Sequence, residues 1–147
     1  YVLYGSSTVL VLTTGNGVDM FVLDQSIGSF VLVATGLQIP EGNKTYSINE
    51  AYTENFGEGV QSYLAWTHKN GYSSRYIGSM VADVHRVLLK GGVFLYPPTK
   101  DKPEGKLRLM YEANPMAMII DQAGGKAVAD GNPILDIVLI IKRFLFF

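Results

Sequence analysis

The segment Arg75-Tyr-Ile-Gly-Ser-Met80 combines a cation and a phenol with the start of a helix. The first amides of a helix have no carbonyl partners within it, and they point back towards Gly78 and Ser79. The positive end of the helix dipole adds to their attraction for an anion, so the segment suits a phosphate group. Gly-Ser before a helix is also an ordinary capping sequence, with Ser79 as the N-cap. The segment alone leaves both interpretations open.

A second group of charges lies in Gly105-Lys-Leu-Arg-Leu-Met-Tyr-Glu112. We expect an extended conformation from Lys106 to Tyr111, and strand alternation then puts Lys106 and Arg108 on one face. Two cations on one face suit an acidic ligand, although a solvated sheet face explains the pattern without one. Glu112 stands at the junction with an apolar helix. There it either interacts with the helix dipole or gives an oxygen to a divalent cation.

Uncharged polar side chains are a third source of phosphate ligands, because phenols and amides bind phosphate oxygens without adding charge. The candidates are Tyr46, Asn49, Tyr52, Tyr76 and Tyr96. With nine tyrosines in the chain, packing also accounts for most of them. His68 and His85 lack the spacing of a zinc pair or of a nucleophile's base, and we expect both at the surface.

The strands that must position these residues are predicted by runs of β-branched and aromatic residues. Three such runs occupy 8–13, 18–23 and 29–33. Their connectors, Gly15-Asn-Gly17 and Asp24 to Gly28, carry turn residues, which favours an antiparallel meander. A further short strand is expected from Val93 to Tyr96, because Pro97-Pro98 stops it.

Three helices are predicted by apolar residues three and four positions apart. The first begins at the cap residue Thr53 and packs through a stripe formed by Phe56, Val60, Leu64 and Thr67. The second follows Ser79 and ends at Gly91-Gly92. Its charged residues outside the apolar stripe are Asp83, Arg86 and Lys90. The third begins at Pro115 and ends at Gly124-Gly125. Both glycine pairs are typical of helix ends and do not match a P-loop.

Composition limits the class of protein. Of the 147 residues 48% are hydrophobic and 17% charged, so the chain can bury the core of one ordinary domain. The net charge of -1 gives no general attraction to nucleic acid or to an acidic membrane. The absence of cysteine excludes disulfides, thiolate metal sites and a cysteine nucleophile. We expect a reducing compartment, the cytosol by default.

The ends of the chain have their own patterns. Residues 134–147 are apolar, but Asp136 and Lys142-Arg143 interrupt them before the roughly 20 residues of a membrane-spanning helix. We therefore expect no membrane span, and instead a strand that pairs with a neighbour or a tendency to aggregate. The first residues lack an initiator Met and a signal peptide, so we expect the chain to begin inside a larger protein.

Alternating strands and helices predict a layered α/β fold in which helices cover a mixed sheet. The polar stretch from Gly36 to Lys44 marks the boundary between two subdomains. Four segments then resemble class I fructose-1,6-bisphosphatase in sequence, order and spacing. They are SINEAY at 47–52, RYIGSMVADVHR at 75–86, GGVFLYP at 91–97 and GKLRLMYEANPMAMIIDQAGGKA at 105–127. The resemblance runs from about residue 1 to 136 and implies the fold of that sugar phosphatase family.

The resemblance implies a division into three parts. Residues 1–35 correspond to strands of the family's N-terminal domain, and 36–136 to its C-terminal α/β substrate-binding domain. Residues 137–147 form a divergent apolar tail, because the family continues with a segment that contains Pro and His. The family's upstream acidic motifs and its AMP-binding region do not occur in this sequence. Without the upstream motifs we expect little or no activity from the chain alone.

The resemblance also implies roles for single residues. The substrate-binding residues that it implies are Asn49, Tyr52, Arg75, Tyr76, Gly78, Ser79, Met80, Tyr96 and Lys106. The amide and the phenols bind the 6-phosphate of fructose 1,6-bisphosphate, Lys106 reaches the same phosphate and the sugar, and Met80 contacts the furanose ring. Arg75 extends into the pocket of a neighbouring subunit. Arg108 and Glu112 belong to the catalytic region, where Glu112 binds Mg²⁺.

The function that the resemblance implies is hydrolysis of the 1-phosphate of fructose 1,6-bisphosphate, giving fructose 6-phosphate, by a Mg²⁺-dependent homotetramer in the cytoplasm or in a plastid. One alternative is sedoheptulose 1,7-bisphosphatase activity, because a related pocket accommodates one more carbon. The other is a non-catalytic fragment that binds a sugar phosphate or another subunit. The missing acidic motifs favour that second alternative for the chain alone.

Overall fold

An antiparallel sheet forms the first part of the computed structural model, which describes residues 1–137. The predicted apolar tail, apart from Ile137, lies outside these residues. The sheet contains β1 (Val2–Leu3), β2 (Val9–Thr13), β3 (Val18–Asp24) and β4 (Ser29–Ala34), in that order. The three predicted strands and their meander are confirmed. Short connectors bring consecutive strands together, as turn residues favour.

A parallel sheet forms the second part. Its strands are β5 (Thr45–Ser47), β6 (Ser73–Ser74) and β7 (Val93–Phe94), in the order β6-β5-β7. Both pairings are parallel, so each connection has to cross back over the sheet. Helix α1 (Glu58–Lys69) makes the first crossing and α2 (Met80–Lys90) the second. The mixed α/β fold is confirmed, with the antiparallel and the parallel strands in separate sheets.

Two hydrophobic cores hold these layers together. In the first, Val11 and Val18 of the antiparallel sheet pack against Leu88 of α2 and against Ile119 of the chain's third α-helix. In the second, the buried residues lie between the parallel sheet and α1. They are Tyr46, Ile48, Phe56 and Leu64. Helix α2 contributes to the first core and also connects two strands of the second sheet, so it joins the two parts.

Helix α1 begins later than predicted, at Glu58 rather than after Thr53. A 3-10 helix, Glu50–Asn55, precedes it and is capped by Asn49, whose side chain accepts a hydrogen bond from the amide of Ala51 at 3.2 Å. The Thr53 hydroxyl donates to the carbonyl of Glu50 instead of capping a helix. The predicted apolar face is confirmed, because its residues are buried or half-buried.

Helix α2 has the predicted ends, but one prediction about its faces is wrong. Asp83 is completely buried, whereas the apolar pattern put it outside the packed stripe. Ser79 is the N-cap residue, yet its hydroxyl makes no capping hydrogen bond. The helix ends at Gly91, where φ is 75°. A Cβ on Gly91 would lie 2.2 Å from the carbonyl oxygen of Pro40, so close packing adds to the need for glycine.

The predicted extended segment from Lys106 to Tyr111 is wrong, because residues 106 and 107 lie in a bend and none of residues 106–111 lies in a strand. Leu109–Ala113 forms one π-helical turn that leads directly into α3 (Asn114–Gln122). The carbonyl of Arg108 accepts hydrogen bonds from the amides of Glu112 and Ala113. The Arg108–Glu112 ion pair, four residues apart, stabilises helical winding here, so alternation along a strand does not apply.

The chain then forms a short hairpin of β8 (Val128–Ala129) and β9 (Asn132–Pro133), followed by a 3-10 helix, Ile134–Asp136. Within residues 1–137, none of the helices has the length and apolar character needed to cross a bilayer.

Candidate functional site

A cleft lies where the three parallel strands end. In a parallel sheet the carboxyl ends of all strands meet at one edge, which is where α/β folds bind ligands. β5 leads to Ile48 and Asn49, β6 leads to Tyr76, and β7 leads to Leu95 and Tyr96. The three connections that follow these strands supply the lining of the cleft.

The lining combines an apolar floor with hydrogen-bonding groups. The residues that line the cleft are Ile48, Asn49, Tyr52, Phe56, Tyr76, Leu95, Tyr96, Pro97, Thr99 and Lys106. Five predicted binding residues therefore converge, from four separate segments. Those five are Asn49, Tyr52, Tyr76, Tyr96 and Lys106. Three phenols, an amide and an ammonium group can donate hydrogen bonds to phosphate and hydroxyl oxygens.

The charge of the cleft is positive. Among the described residues that line it, Lys106 is the one charged side chain. Its Nζ lies 4.9 Å from the ring centroid of Tyr52, a cation–π contact that holds the ammonium at the wall. Tyr52, Tyr76 and Tyr96 are 40–42% exposed, so an incoming ligand can reach these residues. The arrangement suits a small anion attached to an uncharged polar body.

Two amides before α2 bind a side chain rather than an anion, while the predicted anion site at the first amides of the helix itself stays a prediction. The amides of Ile77 and Gly78 donate to the carboxylate of Asp83 at 3.0 and 3.1 Å. Gly78, Ser79 and Met80 lie beside the cleft's Tyr76 in the chain but outside the lining. Their predicted contacts with substrate stay predictions.

Arg75 also lies outside the lining. Its side chain is exposed, and its Nη1 donates to the carbonyl of Ser74 at 3.0 Å. Its backbone amide donates to the carbonyl of Tyr46 at 2.8 Å and extends the pairing of β6 with β5. The backbone is therefore anchored while the guanidinium faces solvent. Its predicted reach into a neighbouring subunit stays a prediction.

Arg108 and Glu112 form a separate pair outside the lining. Arg108 Nη1 donates to Glu112 Oε1 at 2.8 Å, and the Arg108 amide donates to Oε2 at 2.7 Å. The amide hydrogen bond, together with the guanidinium, lowers the pKa of the Glu112 carboxyl. The same pairing raises the pKa of Arg108. Both carboxylate oxygens thus already have donors.

The predicted surface positions of the two histidines have different outcomes. His68 is exposed as predicted, and its Nε2 lies 3.1 Å from Glu50 Oε2. His85 is half-buried, and its Nδ1 lies 2.8 Å from the hydroxyl of Tyr1, so the prediction is wrong for this residue. Burial lowers the pKa of His85. Helix α2 packs this face against the first residues of the chain, which periodicity does not reveal.

Sequence reasoning missed two polar residues beneath the cleft, Ser47 and Asp83, which are both completely buried. The Ser47 hydroxyl donates to Asp83 Oδ1 at 2.6 Å. The available signal is an Asp in the first turn of α2, where a carboxylate often accepts from amides at the helix start. We interpreted that carboxylate as part of the solvent-facing side.

Comparison with known proteins gives one family along most of the chain, and it is the family that the four sequence segments resemble. The family model of the fructose-1-6-bisphosphatase C-terminal domain matches residues 39–142, and that of the N-terminal domain matches residues 1–35. The chain is 55% identical over 139 residues to the class 1 fructose-1,6-bisphosphatase of Synechococcus sp. (strain JA-3-3Ab). This match covers 94% of the chain and 42% of the relative.

A second relative, from Thermosynechococcus vestitus (strain NIES-2133 / IAM M-273 / BP-1), is 50% identical over 139 residues, which are 94% of the chain and 40% of the relative. The chain thus spans about two fifths of the length of these curated relatives.

Solved structures give the same result. The apo form of Leishmania major fructose-1,6-bisphosphatase superposes with a TM-score of 0.92 at 48% identity, over 95% of this chain and 46% of that one. The T-state crystal structure of the same enzyme also gives 0.92 at 48% identity, over 95% of this chain and 44% of that one. With the motifs and the fold in agreement, the chain belongs to the class 1 fructose-1,6-bisphosphatase family.

Proposed function

We propose that the cleft binds the 6-phosphate and the furanose ring of fructose 1,6-bisphosphate, within an enzyme that hydrolyses the 1-phosphate and releases fructose 6-phosphate. The observation that carries this proposal is the convergence of Asn49, Tyr52, Tyr76, Tyr96 and Lys106 on one cleft. Several hydrogen-bond donors and a single cation suit a phosphate monoester better than a metal or an apolar ligand.

The chemistry of hydrolysis belongs to a different place from this cleft. Holding the non-reacting phosphate fixes the position of the sugar, and therefore of the distant 1-phosphate, relative to the catalytic groups. We assign Arg108 and Glu112 to that second region. Both lie outside the cleft lining but follow Lys106 closely in the chain.

We include Mg²⁺ in the proposal, with Glu112 as one of its ligands in the complete enzyme. A hard cation of this kind needs several oxygen ligands. Within residues 1–137, no group of three or more acidic, histidine or cysteine side chains is placed to hold a metal ion. Since Arg108 engages both oxygens of Glu112 as well, the described residues do not form the metal site alone. We expect no phosphate release from fructose 1,6-bisphosphate by the 147-residue chain, even with Mg²⁺.

Binding tests the proposal directly. We expect the 147-residue chain to bind fructose 6-phosphate in a calorimetric titration, and fructose, which lacks the phosphate, to bind much more weakly. Equal binding of the two sugars, or binding of neither, would contradict the proposal. Sedoheptulose 7-phosphate serves as the competitor, because tighter binding of this longer sugar would favour a sedoheptulose 1,7-bisphosphatase instead.

We further propose a cytoplasmic, homotetrameric enzyme in which Arg75 reaches the cleft of a neighbouring subunit. The exposed guanidinium of Arg75 supports this, because its backbone is fixed beside the cleft while its side chain, which donates to the carbonyl of Ser74, is open to solvent. A plastid location is the alternative. Fractionation of the source cells would decide the location, and an Arg75→Ala variant of the tetramer should bind substrate more weakly.

A further inference from the structure

Asp83 is a completely buried carboxylate that the proposed binding cleft does not use directly. It lies in the first turn of α2 and accepts three hydrogen bonds. The donors are the Ser47 hydroxyl at 2.6 Å and the amides of Ile77 and Gly78 at 3.0 and 3.1 Å. Burying a carboxylate is costly unless it is well hydrogen-bonded. The Asp83 carboxylate therefore favours the arrangement in which all three donors reach it, and this holds the donors in place relative to one another.

The donors lie next to two of the segments that line the cleft, at the end of β5 and just after β6. Ser47 is the last residue of β5, and Asn49 follows it by two positions. Ile77 and Gly78 follow Tyr76, which comes shortly after the end of β6, the strand next to β5. Asp83 therefore connects the Asn49 segment to the Tyr76 segment just beyond the point where strand pairing ends.

Backbone pairing alone does not hold these segments together. The last hydrogen bond between them is the one from the Arg75 amide to the Tyr46 carbonyl at 2.8 Å. Beyond it, Gly78 has a φ of 87°, a conformation that turns the chain towards α2. The Asp83 carboxylate continues the connection where the ladder stops, and it does so from a rigid helix.

We infer that Asp83 is a positioning residue, which fixes Tyr76 relative to Asn49 and so sets the affinity of the cleft for the phosphate of a sugar 6-phosphate. The inference rests on the proposed function of the cleft. Preorganised donors bind an anion more tightly than donors that must be ordered on binding, because the ordering cost is already met in the fold.

The test is an Asp83→Asn variant of the 147-residue chain, titrated with fructose 6-phosphate. An Asn amide has one accepting oxygen, so in either orientation its NH₂ group faces the backbone amide of Ile77 or of Gly78, which cannot accept a hydrogen bond. We expect the dissociation constant to rise about tenfold or more, since small displacements of binding groups cost up to about hundredfold. An unchanged dissociation constant would overturn the inference.

Asp19→Asn is the matched control. Asp19 also accepts from a hydroxyl and an amide, those of Thr35 and Gly36, at 2.7 and 3.2 Å, but in the antiparallel sheet. We expect this variant to bind fructose 6-phosphate as the original chain does. An equal loss of affinity in both variants would show general destabilisation and would overturn the assignment to Asp83.

Amide hydrogen exchange, measured by NMR without ligand, separates this inference from the proposed function. In Asp83→Asn we expect faster exchange at Ile77 and Gly78, together with shifted side-chain signals of Asn49. If the original chain does not bind fructose 6-phosphate, the proposed function fails, and the exchange data still decide the coupling. Unchanged exchange and unchanged Asn49 signals would refute it.

Ser47→Ala is the milder variant in case Asp83→Asn does not fold. It removes one of the three hydrogen bonds and leaves the carboxylate with both amides. We expect about a threefold to tenfold loss of affinity for fructose 6-phosphate, from the loss of one buried hydrogen bond. Full affinity in this variant, combined with normal exchange at Ile77 and Gly78, would exclude the positioning role.

Discussion

Tyr76 and Lys106 bring different chemistry to the proposed binding cleft. Lys106 has a positive charge, held beside the ring of Tyr52, while the phenol of Tyr76 can donate a directed hydrogen bond. Charge attracts an anion from any direction, whereas a phenol fixes one oxygen at one distance. A cleft with one cation and several neutral donors can therefore discriminate between phosphate esters by shape as well as by charge.

Replacement of Tyr76 by Phe tests the neutral donors. The variant keeps the ring and removes the hydroxyl, and a hydrogen bond to a charged group contributes about 1.5–3 kcal/mol. We expect the dissociation constant of fructose 6-phosphate to rise about tenfold to hundredfold in a calorimetric titration. Tyr63→Phe is the control, because Tyr63 stacks on Trp66 of α1, outside the lining. Unaltered binding in Tyr76→Phe would contradict the assigned contact.

The Arg108–Glu112 pair predicts a pH-dependent property. The Arg108 amide and guanidinium lower the pKa of Glu112 in the folded chain below its value in the unfolded chain. The pair therefore stabilises the fold at pH values above the unfolded pKa, and this contribution disappears as the pH falls through the lowered pKa. Arg108→Ala keeps the amide donor and removes the guanidinium.

We expect Arg108→Ala to raise the pKa of Glu112 only part of the way towards its ordinary value, because the hydrogen bond from the Arg108 amide is the larger of the two causes and is kept. An NMR titration of the Glu112 carboxyl carbon measures this change. A return to the ordinary value would show that the guanidinium acts alone. No change at all would show that it does not act.

Local patterns explain which elements were predictable. The antiparallel meander was predictable, because each of its strands of five to seven residues lies next to its turn in the sequence. β5 and β6 were not predictable, because a strand of two or three residues shows no period. Their pairing also depends on partners more than 20 residues apart. Asp83 was assigned to the wrong face for a related reason: its partners are segments that only the folded sheet brings near.

The site was more predictable than the elements that hold it. The motif resemblance selected five of the six polar residues that line the cleft, all but Thr99, although the bare spacing left every one of the five ambiguous. It also assigned Arg108 and Glu112 to a separate catalytic region, and neither residue lines the cleft. The extended conformation expected between Lys106 and Tyr111 put Arg108 beside Lys106, whereas the π-helical turn after Arg108 starts a different element.

The junction of α2 with the parallel sheet predicts a steric effect. Gly91 combines a φ of 75° with a site where a Cβ would lie 2.2 Å from the Pro40 oxygen. Gly42 has a φ of 78° with open space around it, so Gly42→Ala isolates the cost of the backbone conformation. We expect that cost to be about 1–2 kcal/mol.

Gly91→Ala should cost more than Gly42→Ala, by about 1–3 kcal/mol, because the helix end and the Pro40 segment must move apart. Urea denaturation of the two variants measures the difference in their free energies of unfolding. Equal losses would mean that the close packing at this junction is relieved without cost.

In the described chain, β4, the last strand of the antiparallel sheet, is poorly covered by other elements. On β4 the side chains of Phe30, Val31, Leu32 and Val33 are all 39–53% exposed, so both faces of the strand present apolar surface. Contiguous apolar surface on an edge strand favours association with another strand or another molecule. The two cores, by contrast, are well buried around α1, α2 and α3.

Self-association should therefore depend on β4. We expect the 147-residue chain to form concentration-dependent oligomers in analytical ultracentrifugation, and Leu32→Lys to shift the distribution towards the monomer, because a charge on the strand opposes pairing. Ser62→Lys, which adds the same charge to an exposed position of α1, is the control. An identical distribution in the two variants would assign the association to another surface.

The parallel sheet has a consequence for how such a cleft diversifies. Each of its walls is a connection that begins where a strand has already ended, so an inserted residue after β5, β6 or β7 lengthens one wall and leaves the pairing of all three strands in register. Cleft width and sheet stability are then nearly independent traits. Such proteins can therefore evolve to bind ligands of different length through insertions in one wall at a time, without a prior loss of stability of the fold.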